Sequence, residues 1–260
     1  MDLSLRGELA SRYPSRSQAG RVLSQDWVSR ELGCLRCSSL PLHATPQNTP
    51  ARDFECVQCH EYYELKSTSR KFGRRVADGE YETFRSAVDS DAGPSLLLME
   101  YDLHALSVRS LRAVHRSLLS GRVVVPRRPL SPSARRAGWQ GCYIDLGLIP
   151  ESGLVPIITG GHPQQWGSVT TGWSRYEFMI QLHPESRGWI LDVLECIHRL
   201  PSSHFSVEDV CAFEQDLAAR HPANQNVRPK IRQQLQVLVA KGVLRRESRG
   251  KYSLTRPWMR

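Results

Sequence analysis

The sequence has no long hydrophobic run. Nowhere do its 260 residues approach the roughly 20 consecutive apolar residues that a membrane-spanning helix needs. Its first residues, MDLSLRGELASRYPSR, lack a continuous apolar segment, so we expect no signal peptide. Both absences predict a protein without a membrane partner.

The cysteines are too few and too unevenly placed for a disulfide framework. There are seven, an odd number, and four of them form two C-x-x-C pairs. This usage favours metal binding in a reducing cytoplasm over secretion. Cys142, Cys196 and Cys211 lie alone in mostly apolar surroundings, and we interpret them as buried small hydrophobic residues.

Acidic residues are nearly absent from the C-terminal end. Residues 228–260 contain ten Lys and Arg against one acid, Glu247. That excess equals the whole formal net charge of +9, so the preceding residues are balanced. A basic segment of this kind predicts an anionic partner such as nucleic acid.

Residues 1–183 mix helix and strand patterns, which predicts an α/β (α+β) domain. SQAGRVLSQDWVSREL has helical spacing, and PSLLLMEYDL is typical of a buried central strand. SVRSLRAVHRSLL has apolar residues at helical spacing, so we predict a helix there. GRVVVPRRPLSPSARRAGWQG predicts a strand that enters a long loop, and loops of that length are often functional. In the first helix, we expect the side chains of Val22, Leu23, Trp27 and Val28 to face the core. Ser24 is a possible internal turn or cap.

Residues 184–260 have a different pattern. ESRGWILDVLECIHRL, SVEDVCAFEQDLAARH and VRPKIRQQLQVLVAKG each predict an amphipathic helix. Ser206 has the position of an N-cap, and Gly242 the position that ends a helix. VLRRESRGKYSLT then predicts a β-hairpin. Three helices followed by a hairpin are the order of a winged helix-turn-helix domain.

The third predicted helix is the candidate for reading the major groove. Arginine and glutamine make bidentate contacts to guanine and adenine edges. The wing usually contacts phosphates, and its candidates include Tyr252. The alternative is a solvated basic helix in a winged domain that binds protein. The DNA-binding candidates in this domain are Arg228, Lys230, Arg232, Gln233, Gln234, Arg249 and Lys251.

The paired cysteines have the spacing C-x2-C-x18-C-x2-C, which is typical of structural zinc. Four thiolates complete a tetrahedral site and leave no open position for a substrate. The predicted ligands are Cys34, Cys37, Cys56 and Cys59. His43 and His60 lie nearby, but the site does not need them.

Charged residues flank the second cysteine pair. If Cys56–Cys59 is the turn of a hairpin, its two strands carry Asp53 on one side and Glu64 and Lys66 on the other. Side chains alternate along a strand, so Glu64 and Lys66 share a face. Two carboxylates there would suit Mg²⁺, and the lysine would hold the attacking water. The pattern D-x10-E-x-K resembles that of PD-(D/E)XK nucleases, although Arg52 stands where that family often has proline; the alternative is charges that merely face water.

The chain resembles the DpnI-type methyl-directed restriction endonucleases. The stretches that carry the resemblance are SQDWV, the paired cysteines, DFECVQC, ELKS, DGEYET, ARRAGWQGC, SRGW, KIRQQLQVL and RGKY. They extend nearly from end to end, and several are unusual strings. The sequence departs from the family in the linker and in the tail SLTRPWMR. The tail adds Trp258, which we expect to be exposed.

The resemblance implies a PD-(D/E)XK nuclease domain with structural zinc, residues 1–183, fused to a winged-helix domain, residues 184–260. It implies Mg²⁺-dependent cleavage of double-stranded DNA at GATC sites that contain 6-methyladenine. Asp53 and Glu64 would then be metal ligands and Lys66 the catalytic lysine. It further implies a restriction enzyme in the cytoplasm of a prokaryote, and we expect a monomer.

Restriction to methylated adenine requires a reader, and the long loop offers one. A methyl group gives no hydrogen bond, so it is recognised by apolar contact. Trp139, beside Arg135 and Arg136, is the candidate wall of such a site, and the arginines would hold phosphates or guanines. The alternative for Trp139 is an ordinary core tryptophan. We expect Trp27 and Trp189 to be core residues, because each lies on the apolar stripe of its helix. Trp166 and Trp173 have no assignment.

Two other functions remain open from the sequence. A zinc-ribbon and winged-helix transcription regulator would explain the zinc and the basic end but give the charged triad no role. A repair nuclease would keep the triad and lack the methyl requirement.

Overall fold

The computed structural model describes residues 1–46, 49–90, 93–255 and 258. They form two compact units, Met1–Glu177 and Phe178–Arg260. This division lies a few residues before the boundary that the sequence predicts. In the described part of the chain, no helix is long and apolar enough to cross a membrane.

The first unit contains a mixed seven-stranded sheet and a smaller three-stranded one. Its strands are β1 (His43–Ala44), β2 (Phe54–Glu55), β3 (Tyr62–Thr68), β4 (Arg75–Glu80), β5 (Ser95–Asp102), β6 (Ser107–Val114), β7 (Val124–Pro126), β8 (Gly141–Asp145), β9 (Leu154–Thr159) and β10 (His162–Pro163). The large sheet has the order β1-β2-β3-β5-β6-β9-β10, and the small one β4-β8-β7. Only the β3–β5 pair is parallel among the described strands.

Three α-helices accompany these sheets: α1 (Arg16–Glu31), α2 (Tyr81–Asp89) and α3 (Trp166–Ser174). Short 3-10 helices cover Gly7–Arg12, Arg116–Leu118, Leu146–Leu148 and Glu151–Gly153, and a further one, Glu177–Gln181, begins at the last residue of this unit. A parallel pair needs a crossover connection. Between β3 and β5 the chain makes that crossover through β4 and α2. Because β4 belongs to the small sheet, this connection links the two sheets.

The central strand is β5, as PSLLLMEYDL predicts. It is the fourth strand of seven, and its side chains from Leu96 to Met99 are fully buried. A strand covered on both faces has a continuous apolar run, because neither side faces water.

The predicted helix at SVRSLRAVHRSLL is wrong, because residues 107–114 form β6. A bulge makes Arg109 an extra residue of β6 opposite the Glu100–Tyr101 step of β5, and it interrupts the alternation of side chains between Val108 and Leu111. The buried residues of the strand are therefore Val108, Leu111, Ala113 and Val114. Their spacing imitates one face of a helix, which explains the error.

Helix α1 packs on the large sheet, and Leu23, Trp27 and Val28 are buried as predicted. Val22 is only half-buried. Ser24 is neither a turn nor a cap: it lies inside the helix, and its hydroxyl donates to the carbonyl of Gly20 at 2.7 Å. The same hydroxyl lies 2.9 Å from the Oγ of Ser67, which fixes α1 against β3 beside Lys66.

The second unit contains α4 (Pro184–Arg199), β11 (His204–Ser206), α5 (Val207–Cys211), α6 (Glu214–Arg220), α7 (Val227–Ala240), β12 (Leu244–Ser248) and β13 (Lys251–Leu254). One correction concerns SVEDVCAFEQDLAARH, which forms two helices rather than one. They are separated at Ala212–Phe213. Ser206 does cap α5, in a reciprocal capping box with Asp209, and Gly242 has a φ of 71° beyond α7.

The predicted hairpin is present, with Gly250 at a φ of 74° in its turn. A third strand, β11, pairs with β13, which the sequence did not reveal because it is only three residues long. Trp189 is fully buried in α4, as predicted. Trp258 is only 7% exposed, so its predicted exposure is wrong. Its neighbours Arg256, Pro257, Met259 and Arg260 lie outside the described residues.

The three lone cysteines are buried as predicted, since Cys142, Cys196 and Cys211 are each at most 2% exposed. Trp173 is also fully buried, with its ring 4.7 Å from that of His115. Trp166 is half-buried, and its indole nitrogen donates to Ser38 Oγ at 3.0 Å. These two tryptophans therefore have structural positions in the first unit.

Candidate active site and metal centre

The four predicted zinc ligands meet at one point. Their sulfur atoms all lie within 4.8 Å of one another, and Cys34–Cys59 and Cys37–Cys56 are each separated by 3.5 Å. Four sulfurs at about 2.3 Å from a tetrahedral ion would be about 3.8 Å apart. The cluster thus fits a zinc ion, and its four thiols are free rather than paired in disulfides.

Two matching turns build this cluster. In each turn, the backbone amide four residues after the first cysteine donates to the carbonyl of that cysteine. Ser38 donates to Cys34, and His60 donates to Cys56, both at 2.8 Å. Ser38 and His60 each have a positive φ, of 62° and 56°. The exposed ring of His60 contacts Glu55 at 2.9 Å, so His60 belongs to the turn and not to the ligand set. His43 is exposed in β1.

Tyr63 connects the cysteine cluster to the strand that carries the acids. Its buried hydroxyl lies 3.3 Å from Cys34 Sγ and accepts the amide hydrogen of Leu35 at 3.0 Å. A partner of this kind orients a metal ligand. Because Tyr63 precedes Glu64 on β3, the cluster and the acids share one rigid element.

The predicted hairpin is present, and it brings Asp53 to Glu64 and Lys66. β2 and β3 pair antiparallel with the cysteine turn between them. Just before β2, the amide of Asp53 donates to the carbonyl of Tyr63 at 2.9 Å. The Oδ2 of Asp53 accepts the amide hydrogen of Leu65 at 2.8 Å, which fixes its carboxylate beside the Glu64–Lys66 face.

A third carboxylate, which the sequence reasoning missed, completes this group. Lys66 Nζ lies 2.6 Å from Glu64 Oε1 and 2.6 Å from Asp78 Oδ1. Asp78 comes from β4 in the other sheet. The only sequence signal was its place in DGEYET, one of the stretches that carried the resemblance, and no spacing rule connects it with β3.

The charges of this group favour a bound cation. Lys66 supplies one positive charge against the carboxylates of Asp53, Glu64 and Asp78. Burial raises the pKa of Glu64 to about 7, opposed by Lys66 and reinforced by Asp78. Burial also works against the Lys66 ammonium, but the two carboxylates outweigh it and raise the pKa of Lys66. Glu64 Oε2 and Asp78 Oδ2 are buried without a hydrogen-bond partner among the described residues.

Two clefts meet at Glu64. One is polar, with a volume of about 450 Å³, and contains Asp53 and Lys66 together with Arg21, Gln25 and Arg52. The other, of about 450 Å³, is bounded by Asp78, Gly79 and Glu80 and by an aromatic wall. A carboxylate shared by two clefts can act on a ligand that occupies both.

Trp139 forms the aromatic wall, together with Phe84. It is half-buried, so it is not an ordinary core tryptophan. Its ring lies on Gly141, where an added Cβ would be 2.8 Å from the indole Cη2. Only glycine at 141 permits this close approach. The guanidinium carbon of Arg136 lies 4.8 Å from the centre of the indole ring, at the distance of a cation–π contact.

The loop that carries Trp139 is held by its own hydrogen bonds. Leu130 donates to the carbonyl of Trp139 at 2.9 Å, and Gly138 donates back to Leu130 at 3.2 Å. Residues 127–140 contain four arginines and no acid. Arg135 and Arg136 are both exposed. The loop therefore presents positive charge beside the pocket that Trp139 lines.

The predicted recognition residues of the second unit do not all lie on the surface. Lys230, Arg232 and Gln233 are exposed or half-exposed on α7, and so is Arg228. Gln234 is only 2% exposed and faces the core with Ile231 and Leu235, so α7 does not present it to a ligand. Periodicity alone could have shown this, since positions 231, 234, 235 and 238 form the apolar stripe.

Acids of the preceding helices neutralise part of α7. Arg228 pairs with Glu214 at 2.7 Å and Glu208 at 3.4 Å, and Arg232 lies 3.7 Å from Glu208. On the wing, Arg249 and Lys251 are both exposed.

Tyr252, in contrast, is buried. Its ring lies 6.1 Å from that of Phe205, and it is 7% exposed, so its predicted place on the wing surface is wrong. Neighbouring side chains on a strand point to opposite faces, which is why Lys251 is outward and Tyr252 inward.

Comparison with protein families assigns both units. Residues 1–182 match the DpnI family model, described as the Dam-replacing family. Residues 185–254 match the DpnI C-terminal family model, described as the Dam-replacing HTH domain. The cysteine cluster, the buried carboxylates and the helix-turn-helix unit agree with these matches. The chain therefore belongs to the DpnI family of methylation-dependent restriction endonucleases.

Proposed function

We propose that this protein hydrolyses phosphodiester bonds of duplex DNA at GATC sites whose adenine carries a methyl group on its exocyclic amine, and that it requires Mg²⁺. One observation carries the proposal: Trp139 and Arg136 line the same pocket as Glu64 and Asp78. An aromatic wall that suits a methyl group thus adjoins carboxylates that suit a cation.

Asp53 and Glu64 are the residues that would hold Mg²⁺. Carboxylate oxygens are the ligands that this ion prefers, and the unpartnered Glu64 Oε2 has no competing hydrogen bond in the described structure. Bound there, Mg²⁺ would supply positive charge beside the scissile phosphate. We place this chemistry in the PD-(D/E)XK class because Asp53, Glu64 and Lys66 converge on the hairpin as that pattern requires.

Lys66 would act on the attacking water. Its ammonium has only protons to donate, so it holds a water oxygen and stabilises negative charge that develops on it. Burial in the cleft strengthens such an interaction, because the local dielectric is low. Arg21 and Arg52 line the same cleft and supply positive charge for the DNA backbone.

The four cysteines would hold a structural zinc ion. All four positions of a tetrahedral site are filled by protein, so zinc takes no part in hydrolysis. Its effect is on geometry: it fixes the turn between β2 and β3, and that turn sets Asp53 against Glu64.

Recognition would be divided between the two units. Trp139 contacts the methyl group in the first, with Arg135 and Arg136 on neighbouring phosphates or guanines. In the second, α7 reads base edges through Gln233, Arg232 and Lys230, with Arg228 as a further contact. Arg249 and Lys251 on the wing bind phosphates, which position the domain without specifying sequence.

The decisive experiment uses one plasmid prepared from an adenine-methylating host and from a non-methylating host. With Mg²⁺, we expect the methylated plasmid to be cut at GATC and the other to remain intact. Cutting of neither would indicate a DNA-binding regulator. Equal cutting of both would indicate a nuclease without a methyl requirement.

The chemistry has its own test. Lys66→Ala and Asp53→Ala should abolish cleavage, while both variants fold and shift methylated duplex in a gel, because neither residue contacts a base. Near wild-type cleavage by both variants would show that the active site lies elsewhere.

A further inference from the structure

The ammonium of Lys66 is held from two sides. Glu64 Oε1 and Asp78 Oδ1 each lie 2.6 Å from Nζ. Glu64 belongs to the same strand as Lys66, but Asp78 reaches it from β4 in the other sheet. The side chain of Asp78 is 2% exposed and that of Lys66 16%, so the carboxylate in particular is almost completely removed from solvent.

The burial of Asp78 is not explained by stability. Moving a carboxylate out of water is costly, and a buried ion pair often contributes no more than well-packed apolar side chains would. Moreover, Asp78 Oδ2 has no hydrogen-bond partner among the described residues. A buried carboxylate that is only half satisfied indicates a role other than packing.

The carboxylate of Asp78 is held in place by the backbone amide of the next residue. Its Oδ1 also accepts the amide hydrogen of Gly79 at 2.5 Å. On the other side, Asp78 pairs with Cys142 of β8 in the small sheet. The carboxylate is thus a rigid acceptor, and a long flexible lysine that binds it is held at one place.

We propose that Asp78 is a positioning residue that holds the Lys66 ammonium in its working place. This inference rests on the proposed function, in which Glu64 also serves a cation. A carboxylate that shares its charge with a second cation holds the lysine less firmly, and the two positive charges repel each other. Asp78 supplies the opposing charge on the other side of Nζ and keeps Lys66 against the cleft.

The first test measures single-turnover cleavage of methylated duplex by Asp78→Asn over a range of Mg²⁺ concentrations. A displaced reactive group costs on the order of a hundredfold, so we expect the maximal rate to fall by about ten- to a hundredfold. Duplex affinity and the half-saturating Mg²⁺ concentration should change by less than about threefold, since the proposal gives Asp78 no contact with DNA or Mg²⁺.

Asp145→Asn is the matched control. Asp145 is also a buried acid of the small sheet, 2.8 Å from Arg74, but it does not contact Lys66. We expect it to lower thermal stability and leave the rate near that of the wild type. An equal loss of rate in both variants would assign the effect to the sheet and overturn the positioning role.

The second test needs neither metal nor DNA. Asp78→Asn should lower the melting temperature in the wild-type background, because Lys66 loses a partner. In a Lys66→Met background it should raise the melting temperature, because a carboxylate without a cation is removed from beside Glu64. A similar decrease in both backgrounds would show that Asp78 does not act through Lys66.

The outcomes separate this inference from the proposed function. If Lys66→Ala cleaves like the wild type, the proposed active site fails. If Lys66→Ala is inactive while Asp78→Asn cleaves at the wild-type rate, only the role of Asp78 fails. A large rise in the Mg²⁺ requirement of Asp78→Asn would make Asp78 a metal ligand instead and would also overturn the positioning role.

Discussion

Glu64 and Trp139 line one pocket, although they lie far apart in the chain and on different elements. Glu64 is on β3 of the large sheet, and Trp139 is on the loop before β8 of the small sheet. The crossover through β4 and α2 joins these sheets, so the aromatic wall lies next to the carboxylates. In the proposed enzyme, the contact that recognises the base and the group that serves hydrolysis are therefore neighbours.

Zinc removal should affect folding more than chemistry. Cys56→Ser should lose the ion, melt at lower temperature and be less soluble, because structural zinc contributes directly to folding free energy. Metal analysis and thermal unfolding measure this. Cys142→Ala is the control: it removes a buried cysteine outside the cluster and should keep one zinc per chain. A stable, active Cys56→Ser protein would contradict the structural assignment.

A chelator should distinguish the two metals. Four thiolates bind far more tightly than two carboxylates bind Mg²⁺, so EDTA should abolish cleavage before zinc is released. Zinc loss in parallel with activity would count against the separation of roles.

Trp139→Ala should reduce discrimination between methylated and unmethylated duplex rather than stop cleavage. Burying one methyl group is worth about 0.8 kcal/mol, which corresponds to a few-fold preference. Trp139→Phe should keep part of it. Gly141→Ala should resemble Trp139→Ala, because the added Cβ would collide with the indole. Cleavage rates on the two duplexes provide the measurement, and unchanged ratios in all three variants would exclude Trp139 as the reader.

The Mg²⁺ requirement should depend on pH through Glu64. The pKa of this carboxyl group is raised to about 7, and a metal ligand must be deprotonated. Each pH unit below about 7 should therefore raise the half-saturating Mg²⁺ concentration by up to about tenfold. Without metal, the folded state holds a proton that the unfolded state releases, so stability contributed by this group falls as pH rises from about 4.5 to about 7. Titration of cleavage with Mg²⁺ at several pH values tests the first point, and thermal unfolding tests the second.

The wing should contribute salt-dependent affinity. Arg249→Ala with Lys251→Ala removes two proposed phosphate contacts, which should reduce the slope of log affinity against log salt by about 1.8. The loss should be equal for methylated and unmethylated duplex. Arg199→Ala, on α4, is the control and should leave the slope unchanged. A wild-type slope in the double variant would remove the wing from the DNA interface.

The adjacent glutamines of α7 should behave differently. Gln233→Ala should weaken binding of the GATC duplex by removing a base contact and leave stability unchanged, because the side chain is exposed. Gln234→Ala should lower stability, since its side chain is buried in the core. Binding and unfolding measurements on both variants test this contrast, and a binding defect confined to Gln234→Ala would reverse the assignment.

Local spacing was enough to determine several features from the sequence. The cysteine pairs, the central strand, the capped helix after Ser206 and the hairpin after α7 each depend on residues close together in the chain. Their physical causes, namely ligand geometry, continuous burial and turn conformation, act over a few residues. The same is true of the Asp53–Glu64–Lys66 hairpin, because the cysteine turn closes it locally.

Only the tertiary structure decided what depends on contacts between distant segments. The bulge in β6 imitates helical spacing, and it is defined by pairing with another strand. Trp258 is buried because the fold covers it, not because of its neighbours in sequence. Asp78 reaches Lys66, and Trp139 reaches the pocket of Glu64, because the crossover places two sheets side by side. No local pattern requires a carboxylate on β4 to contact an ammonium on β3, so this contact could not be predicted from the sequence.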